Sequence, residues 1–360
     1  MRFSLTLPAL LFLAVSACAA SQDDPAPESR RDFRYSVAVI DDATFYSNLE
    51  VPLPTLLNQF LVEPTITFRY KPMWSFSSSV AGVADRYTDR FTQLRVKEIY
   101  AGLSAGDFDF MAGRRIVRWG TGYAFTAAGV LDPPRIPTNP TDRLNLNEGR
   151  DMVKADYVHG PHAFTVAWST AALAPAAANL HDTTAVRYNV LLHGFDTSLI
   201  AGDDRGGDAF GGLTFTRVLG EAWEIHGEAA WREHEAILIG GKYTLTNGIT
   251  FLGEFFTPPN IPYFRDMTIS PLAGRQHYLF LDAAKNRLRE RPGWKQWDLS
   301  GAAVANLNDR SYTAIFDATR RFGNHFSTYL HVEVPIGKYH SDYGATPYSS
   351  ATSAGVRFQL

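Results

Sequence analysis

The chain has 360 residues, one cysteine and a formal net charge of −3. A charge this near zero gives no electrostatic case for nucleic acid or another polyanion as partner, and a single thiol excludes an internal disulfide. Aromatic residues make up 13% of the chain, which is high for a soluble enzyme and suits a lipid-facing sheet with interfacial girdles. The mean hydropathy of −0.15 does not exclude such a sheet, because alternating apolar and polar positions average out.

Met1–Phe3 makes a short basic start, Leu5–Val15 an apolar run broken by Pro8, and Ser16–Ala20 a group of small residues. This predicts a secretory signal over 1–17, too short to span a membrane as a helix. Val15-Ser16-Ala17-Cys18 resembles a lipoprotein box and makes Cys18 a candidate for acylation. Ordinary cleavage after Ala17 or Ala19, with Cys18 incidental, is the other reading. Residues 18–32 carry SQDDPAPESRRD and read as a flexible leader. No later segment approaches the roughly 20 apolar residues of a spanning helix. An exported chain without one either stays soluble or crosses a membrane as a closed barrel.

From Phe33 to the end one pattern recurs: about ten alternating residues, then a turn signal. Ile66, Phe68 and Tyr70 alternate with Thr65, Thr67 and Arg69. The same holds for Phe164, Val166 and Trp168, for Val186–Leu192, for Trp223–Trp231 and for Phe326–Val334. Tight turns fall at Gly106-Asp107, His159-Gly160-Pro161, Leu219-Gly220-Glu221, Thr246-Asn247-Gly248 and Gly323-Asn324. Longer connections lie between them, at 121–148, 172–184, 201–207, 257–275 and 337–348. Tight and long connections largely alternate, the habit of outer-membrane barrels with short periplasmic turns and long outer loops. The pattern predicts an all-β, up-and-down antiparallel transmembrane β-barrel over 33–360, of about 18 strands within a range of 14–18. The stretch Leu279–Trp294 departs from the alternation and reads as a wide turn. Val356, Phe358 and Leu360 alternate with Arg357 and Gln359. Such an ending resembles the strand that these barrels offer to their insertion machinery, with Leu360 where an aromatic residue is usual.

In a barrel the polar half of each alternating set faces the lumen. The strands around 95–156 then bring together Arg95, Lys97, Arg115, Arg150 and Lys154. Two readings of these cations stand. They pair with Glu98, Asp109, Asp151 and Asp156 across strands, or they form a lining that favours anions. The run Arg114–Gly120 reads as a strand, in which Arg114 and Arg118 share one face and Arg115 and Trp119 the other. An arginine in the middle of the lipid face would cost about 2–4 kcal/mol, so Arg115, or Arg114 with Arg118, is expected in the lumen or a loop. The pore-lining candidates are Arg95, Arg115, Arg118, Arg135, Arg143, Arg150, Lys154 and Asp156.

Catalytic and metal readings have little to stand on. Glu224, His226 and Glu228 share one strand face, as do His331 and Glu333, and Ser300 or Ser327 would be the nucleophile. An enzyme acting on membrane lipid needs its dyad on the bilayer side, whereas these histidines alternate with the apolar set. There is no GxSxG, HExxH, CxxC or dense carboxylate loop. Neither a metal nor a cofactor is expected.

Gly113-Arg114-Arg115-Ile116-Val117-Arg118-Trp119-Gly120, followed by Pro137-Thr138-Asn139-Pro140-Thr141-Asp142, resembles a segment of uncharacterised Gram-negative outer-membrane barrels. Those barrels are broadly similar to alginate-export-type porins. Arg115 stands where that pattern carries glutamine. The resemblance covers about 113–156 and implies a porin-like channel with no particular solute. The sequence reading is therefore an outer-membrane channel for diffusion or export of small polar, including anionic, solutes, with the long loop 121–148 expected to fold inward and narrow the pore. Its partners are membrane lipid and the insertion machinery. The alternatives are a lipid-modifying outer-membrane enzyme and a plugged barrel that serves an export system.

Overall fold

In the computed structural model, the described residues are 31–51, 54–70, 73–85, 92–139, 143–144, 146–172, 182–204, 208–232, 235–258, 276–286 and 296–360. The expected signal over 1–17, Cys18 and most of the expected leader lie outside them, as do Pro140–Asp142 of the loop motif.

Alternation of apolar and polar residues builds one antiparallel sheet. Its first nine strands are β1 (Arg31–Ser47), β2 (Leu56–Tyr70), β3 (Trp74–Asp85), β4 (Thr92–Ala105), β5 (Phe108–Arg115), β6 (Arg150–His159), β7 (His162–Thr170), β8 (Thr183–Leu192) and β9 (Phe195–Asp204). The rest are β10 (Asp208–Leu219), β11 (Trp223–Trp231), β12 (Glu235–Thr244), β13 (Ile249–Thr257), β14 (Tyr278–Lys285), β15 (Trp297–Asn306), β16 (Ser311–Phe322), β17 (Phe326–Ile336) and β18 (Ser350–Gln359). Each strand pairs with its sequence neighbours, and β1 pairs with β18 from Ala38↔Gln359 to Ser47↔Ser350. The sheet is thus a closed, up-and-down barrel of eighteen strands, the upper end of the expected range. Closure leaves no sheet edge, so every ladder amide has a partner even where no water reaches.

The two faces have inverted polarity relative to a soluble protein. Phe108, Phe110, Val153, Phe164, Trp168, Leu199, Ile239, Leu281 and Phe316 are exposed on the outside. Lys97, Glu228, Glu254, His226 and His331 are buried within. Aromatic residues gather near the strand ends, with ring pairs Trp223–Tyr243 at 4.4 Å and Phe108–Tyr157 at 4.8 Å at the short-turn end. Trp168 and Trp231 mark the other end. These are the positions of interfacial belts.

Three boundaries differ from the sequence expectation. β1 begins at Arg31, two residues into the expected leader, because Arg31 and Asp32 already pair with Tyr70 and Arg69. Leu279–Lys285 is strand rather than turn. Its Leu279 and Leu281 face outward while Phe280 packs inward at 1% exposure, and 287–294 lies outside the described residues. The third difference is that β5 stops at Arg115, so the connection to β6 covers 116–149. The β8–β9 turn, His193-Gly194, was not singled out by the sequence reading. Both residues take positive φ, 51° and 79°, the mirror-image turn that matches strand twist.

Candidate functional site

The connection 116–149 leaves the wall because side chains capture the amides that would extend β5. Ile116 N donates to Glu98 Oε1 at 3.0 Å. Trp119 N and Gly120 N donate to the two oxygens of Asp132 at 2.6 and 3.2 Å. Pro133, Pro134 and Pro137 then prevent any ladder from forming. Burial pushes the Asp132 carboxyl above its usual range, against the lowering effect of the Trp119 amide, Arg135 and the Gly120 amide. The chain rejoins the wall at Gly149, whose amide donates to Lys97 O at 2.9 Å.

Two glutamates on the far wall hold the loop inside the barrel. Glu228 of β11 accepts the amides of Thr121 and Gly122 on one oxygen at 2.5 and 2.7 Å. Its other oxygen accepts those of Ala127 and Ala128 at 2.6 and 2.8 Å and the Thr126 hydroxyl at 3.0 Å. Glu254 of β13 accepts the amides of Tyr123, Ala124 and Phe125 at 2.5, 2.9 and 3.2 Å. Both carboxylates are buried, at 3% and 1% exposure, so the donors replace the water each would otherwise need.

His226 Nε2 donates to Glu254 Oε1 at 3.0 Å. The ladder explains how: His226 of β11 and Glu254 of β13 both stand opposite Gly240 of the intervening β12. A Cβ at Gly240 would lie 2.4 Å from His226 Nε2 and 2.9 Å from Glu254 Cγ. Gly240→Val is therefore expected to part the pair and loosen the loop. The readout is faster tryptic cleavage at Arg118 and Arg135 in the folded, detergent-held barrel.

Apolar contacts fix the loop on three sides of the lumen. Trp119, Ala128 and Leu131 pack with Ala167, Ala185, Ile200 and Phe210 of β7–β10. Ala124 and Phe125 pack with Leu238, Phe256 and Tyr278 of β12–β14, with the Phe125 and Phe256 rings stacked at 4.9 Å. Leu144 and Leu146 reach Ile40, Leu61, Ala81 and Val83 of β1–β3. A second connection, 337–349, also lies inward. Tyr343 is buried, and Asp342 accepts the Tyr278 hydroxyl at 2.9 Å.

The sequence-derived candidates divide by environment. Arg115 shares the lumen face of the wall with the buried Met111 and Met152, its guanidinium 4.6 Å from the Tyr100 ring centre. Arg150 stands opposite Arg115 and donates to Thr183 Oγ1 at 3.4 Å. Lys154 pairs with Asp156, which also accepts the Thr165 hydroxyl. Arg95 donates to Gln93 Oε1 at 3.0 Å. Arg143 donates to Ser353 Oγ of β18 at 3.1 Å. Arg135 is spent on the loop itself, donating to the carbonyls of Gly120, Gly122 and Tyr123 and to Asp132. Arg118 is exposed and lies in the loop rather than on β5. Arg114 is the residue that alternation puts outward. Opposite Ile99 at the end of β5, it pairs with Asp151 at 2.6 Å and Glu148 at 3.4 Å. The alternative catalytic residues are packed away: His226 is fully buried and His331 Nδ1 lies 2.8 Å from Asp317 Oδ1.

No family model matches this chain, and no curated protein matches its sequence. Solved structures match its shape. A structure described as "Asymmetric conductivity of engineered proteins" superposes with a TM-score of 0.55 at 9% identity, covering 91% of this chain and all (100%) of that one. Two engineered mutants of the Rhodopseudomonas blastica porin superpose at 0.54 and 0.52, with 10% and 9% identity and the same coverage. The fold is that of the porins: a closed antiparallel barrel crossing a membrane with strands.

Proposed function

We propose that this protein is an outer-membrane channel through which small polar solutes diffuse, with the loop 116–149 as its constriction. The observation that carries the reading is the seating of that loop inside the barrel by Glu228 and Glu254. A loop held by seven charge-assisted amide bonds to two buried carboxylates is a fixed part of the lumen. The porin fold and the interfacial aromatic belts support the membrane setting. The resemblance over about 113–156 to uncharacterised outer-membrane barrels, themselves broadly similar to alginate-export-type porins, supports the same class and names no solute. A channel accounts better than a lipid-modifying enzyme for histidines buried against carboxylates. On this reading the C-terminal strand is the segment offered to the insertion machinery, and the N-terminal signal directs export.

Planar-bilayer recording of refolded protein tests this. Discrete conductance steps in potassium chloride are expected, with chloride favoured over potassium because Arg115, Arg118 and Arg150 border the path. Absence of steps in both the intact protein and a chain lacking 121–148 overturns it. One observation favours a second reading, a plugged barrel that works with an export partner: the loop is anchored to β1–β3, β7–β10 and β12–β14 at once. Conductance only after the loop is removed selects that reading.

A further inference from the structure

The wall side of the loop is fully engaged, but its other side borders a pocket. Arg118 and Tyr123 line it together with Pro133, Pro134, Ile136 and Asn139. Two features set this pocket apart from a water-lined passage. Tyr123 and Ile136 are 39% and 46% exposed, so apolar surface faces the aqueous lumen beside Pro133 and Pro134. The charge is also unbalanced by one. Arg135 is matched by Asp132, and Lys242 by Glu224, which also accepts the Tyr123 hydroxyl at 2.8 Å. Arg118 is exposed and has no carboxylate partner among the described residues.

We propose that this pocket is a binding subsite for a small organic monoanion, a carboxylate carried on an apolar or aromatic body. The inference rests on the reading that the loop borders the solute path. Arg118 supplies the cation and Asn139 an amide, while Tyr123, Ile136 and the prolines take the apolar body. This division of labour is usual in small-molecule sites. Inorganic phosphate fits poorly, because its second charge meets Asp132 in the lining and it leaves the apolar surface wet. A cation fits poorly because Arg118 and Arg135 both line the space.

The test is calorimetric titration of the refolded, full-length barrel in detergent with benzoate, benzyl alcohol and inorganic phosphate. Benzoate is expected to bind saturably, tighter than benzyl alcohol, which lacks the charge, and tighter than phosphate, which lacks the apolar body. Arg118→Gln is expected to weaken benzoate by about tenfold, the scale of one lost charged contact, and to leave benzyl alcohol unchanged. Arg118→Lys should restore most of the affinity. Arg118 is exposed and outside the ladder, so these variants fold, and heat-modifiable mobility on gels checks that they do. Equal binding of benzoate and benzyl alcohol, tighter phosphate, no saturable heat, or an unchanged affinity in Arg118→Gln overturns the subsite. A protein that conducts but does not bind benzoate loses the subsite and keeps the channel. One that binds benzoate without conducting keeps the subsite and loses the open channel.

Discussion

Replacing Glu228 and Glu254 together with glutamine should release the constriction and raise single-channel conductance. Each carboxylate presents two anionic oxygens to a row of inward-pointing amides, and Glu228 alone accepts four. Glutamine keeps one acceptor and turns an NH2 group toward the remaining donors. Those amides are then buried without partners, at a cost of about 1–3 kcal/mol each. Lost charge-assisted bonds of about 1.5–3 kcal/mol apiece add to it. Apolar contacts at Phe125 and Leu131 hold the loop less tightly than that. The wall is untouched, since both residues contribute only side chains to the lumen and their ladder bonds remain. Bilayer recordings should therefore show larger, noisier steps in the double variant while its thermal unfolding stays near that of the parent. Unchanged steps and unchanged tryptic cleavage at Arg118 and Arg135 would falsify the anchoring role. If the parent is closed and the double variant conducts, the same two glutamates are the lock of a plugged barrel.

Lys97→Met should be the most damaging single change in the wall itself. The β3–β4 register slips so that Ser79 stands opposite Glu98 while Val80 stands opposite Val96. This bulge leaves Lys97 without a cross-strand partner and turns it inward. Its Nζ lies 2.7 Å from Glu63 Oε1, which also accepts the Ser79 hydroxyl at 2.6 Å. Side-chain exposure is 3% for Lys97 and 9% for Glu63. Removing the ammonium strands a buried carboxylate, and breaking such a pair costs about 3–5 kcal/mol. Urea unfolding of the detergent-held barrel should show that loss as a lower midpoint. The combined Lys97→Met and Glu63→Gln variant should recover most of it, because no uncompensated charge is left. A single variant as stable as the parent would show that water reaches Glu63.

Much of the barrel was legible in the sequence because its determinants are local. A period of two fixes which side chains share a face, and Gly-Asp, Asn-Gly and Gly-Asn signals fix where strands reverse. Neither requires knowledge of distant residues, so an up-down barrel of about 14–18 strands follows from reading along the chain, and closure settles the number at eighteen. The failures were also local in origin. Val117 and Trp119 continue the alternation of β5, and Glu98 at Ile116 and Asp132, thirteen residues on from Trp119, take their neighbourhood out of the ladder. Leu279–Lys285 was obscured by the charged run that follows it.

The site was much less legible, and the reason lies in what its bonds join. The sequence marked the loop, its prolines and its arginines. It put Glu228 on a strand face with Glu224 and His226 and offered no partner for Glu254, because the partners of both are backbone amides, which every residue but proline carries. Nothing in side-chain identity distinguishes Thr121–Ala128 as donors for carboxylates about 100 to 130 residues away. Arginine charge was equally uninformative about role. Arg135 is consumed by carbonyls of its own loop, Arg114 by an ion pair on the outer face, and Arg118 is left for the lumen. The barrel follows from the chain alone, since alternation and turns act between neighbours. An inward fold that narrows the pore is expected of the long loop from the chain alone; which wall holds it is fixed only once the barrel closes. That choice depends on the curvature that brings β11 and β13 opposite the loop's exposed amides.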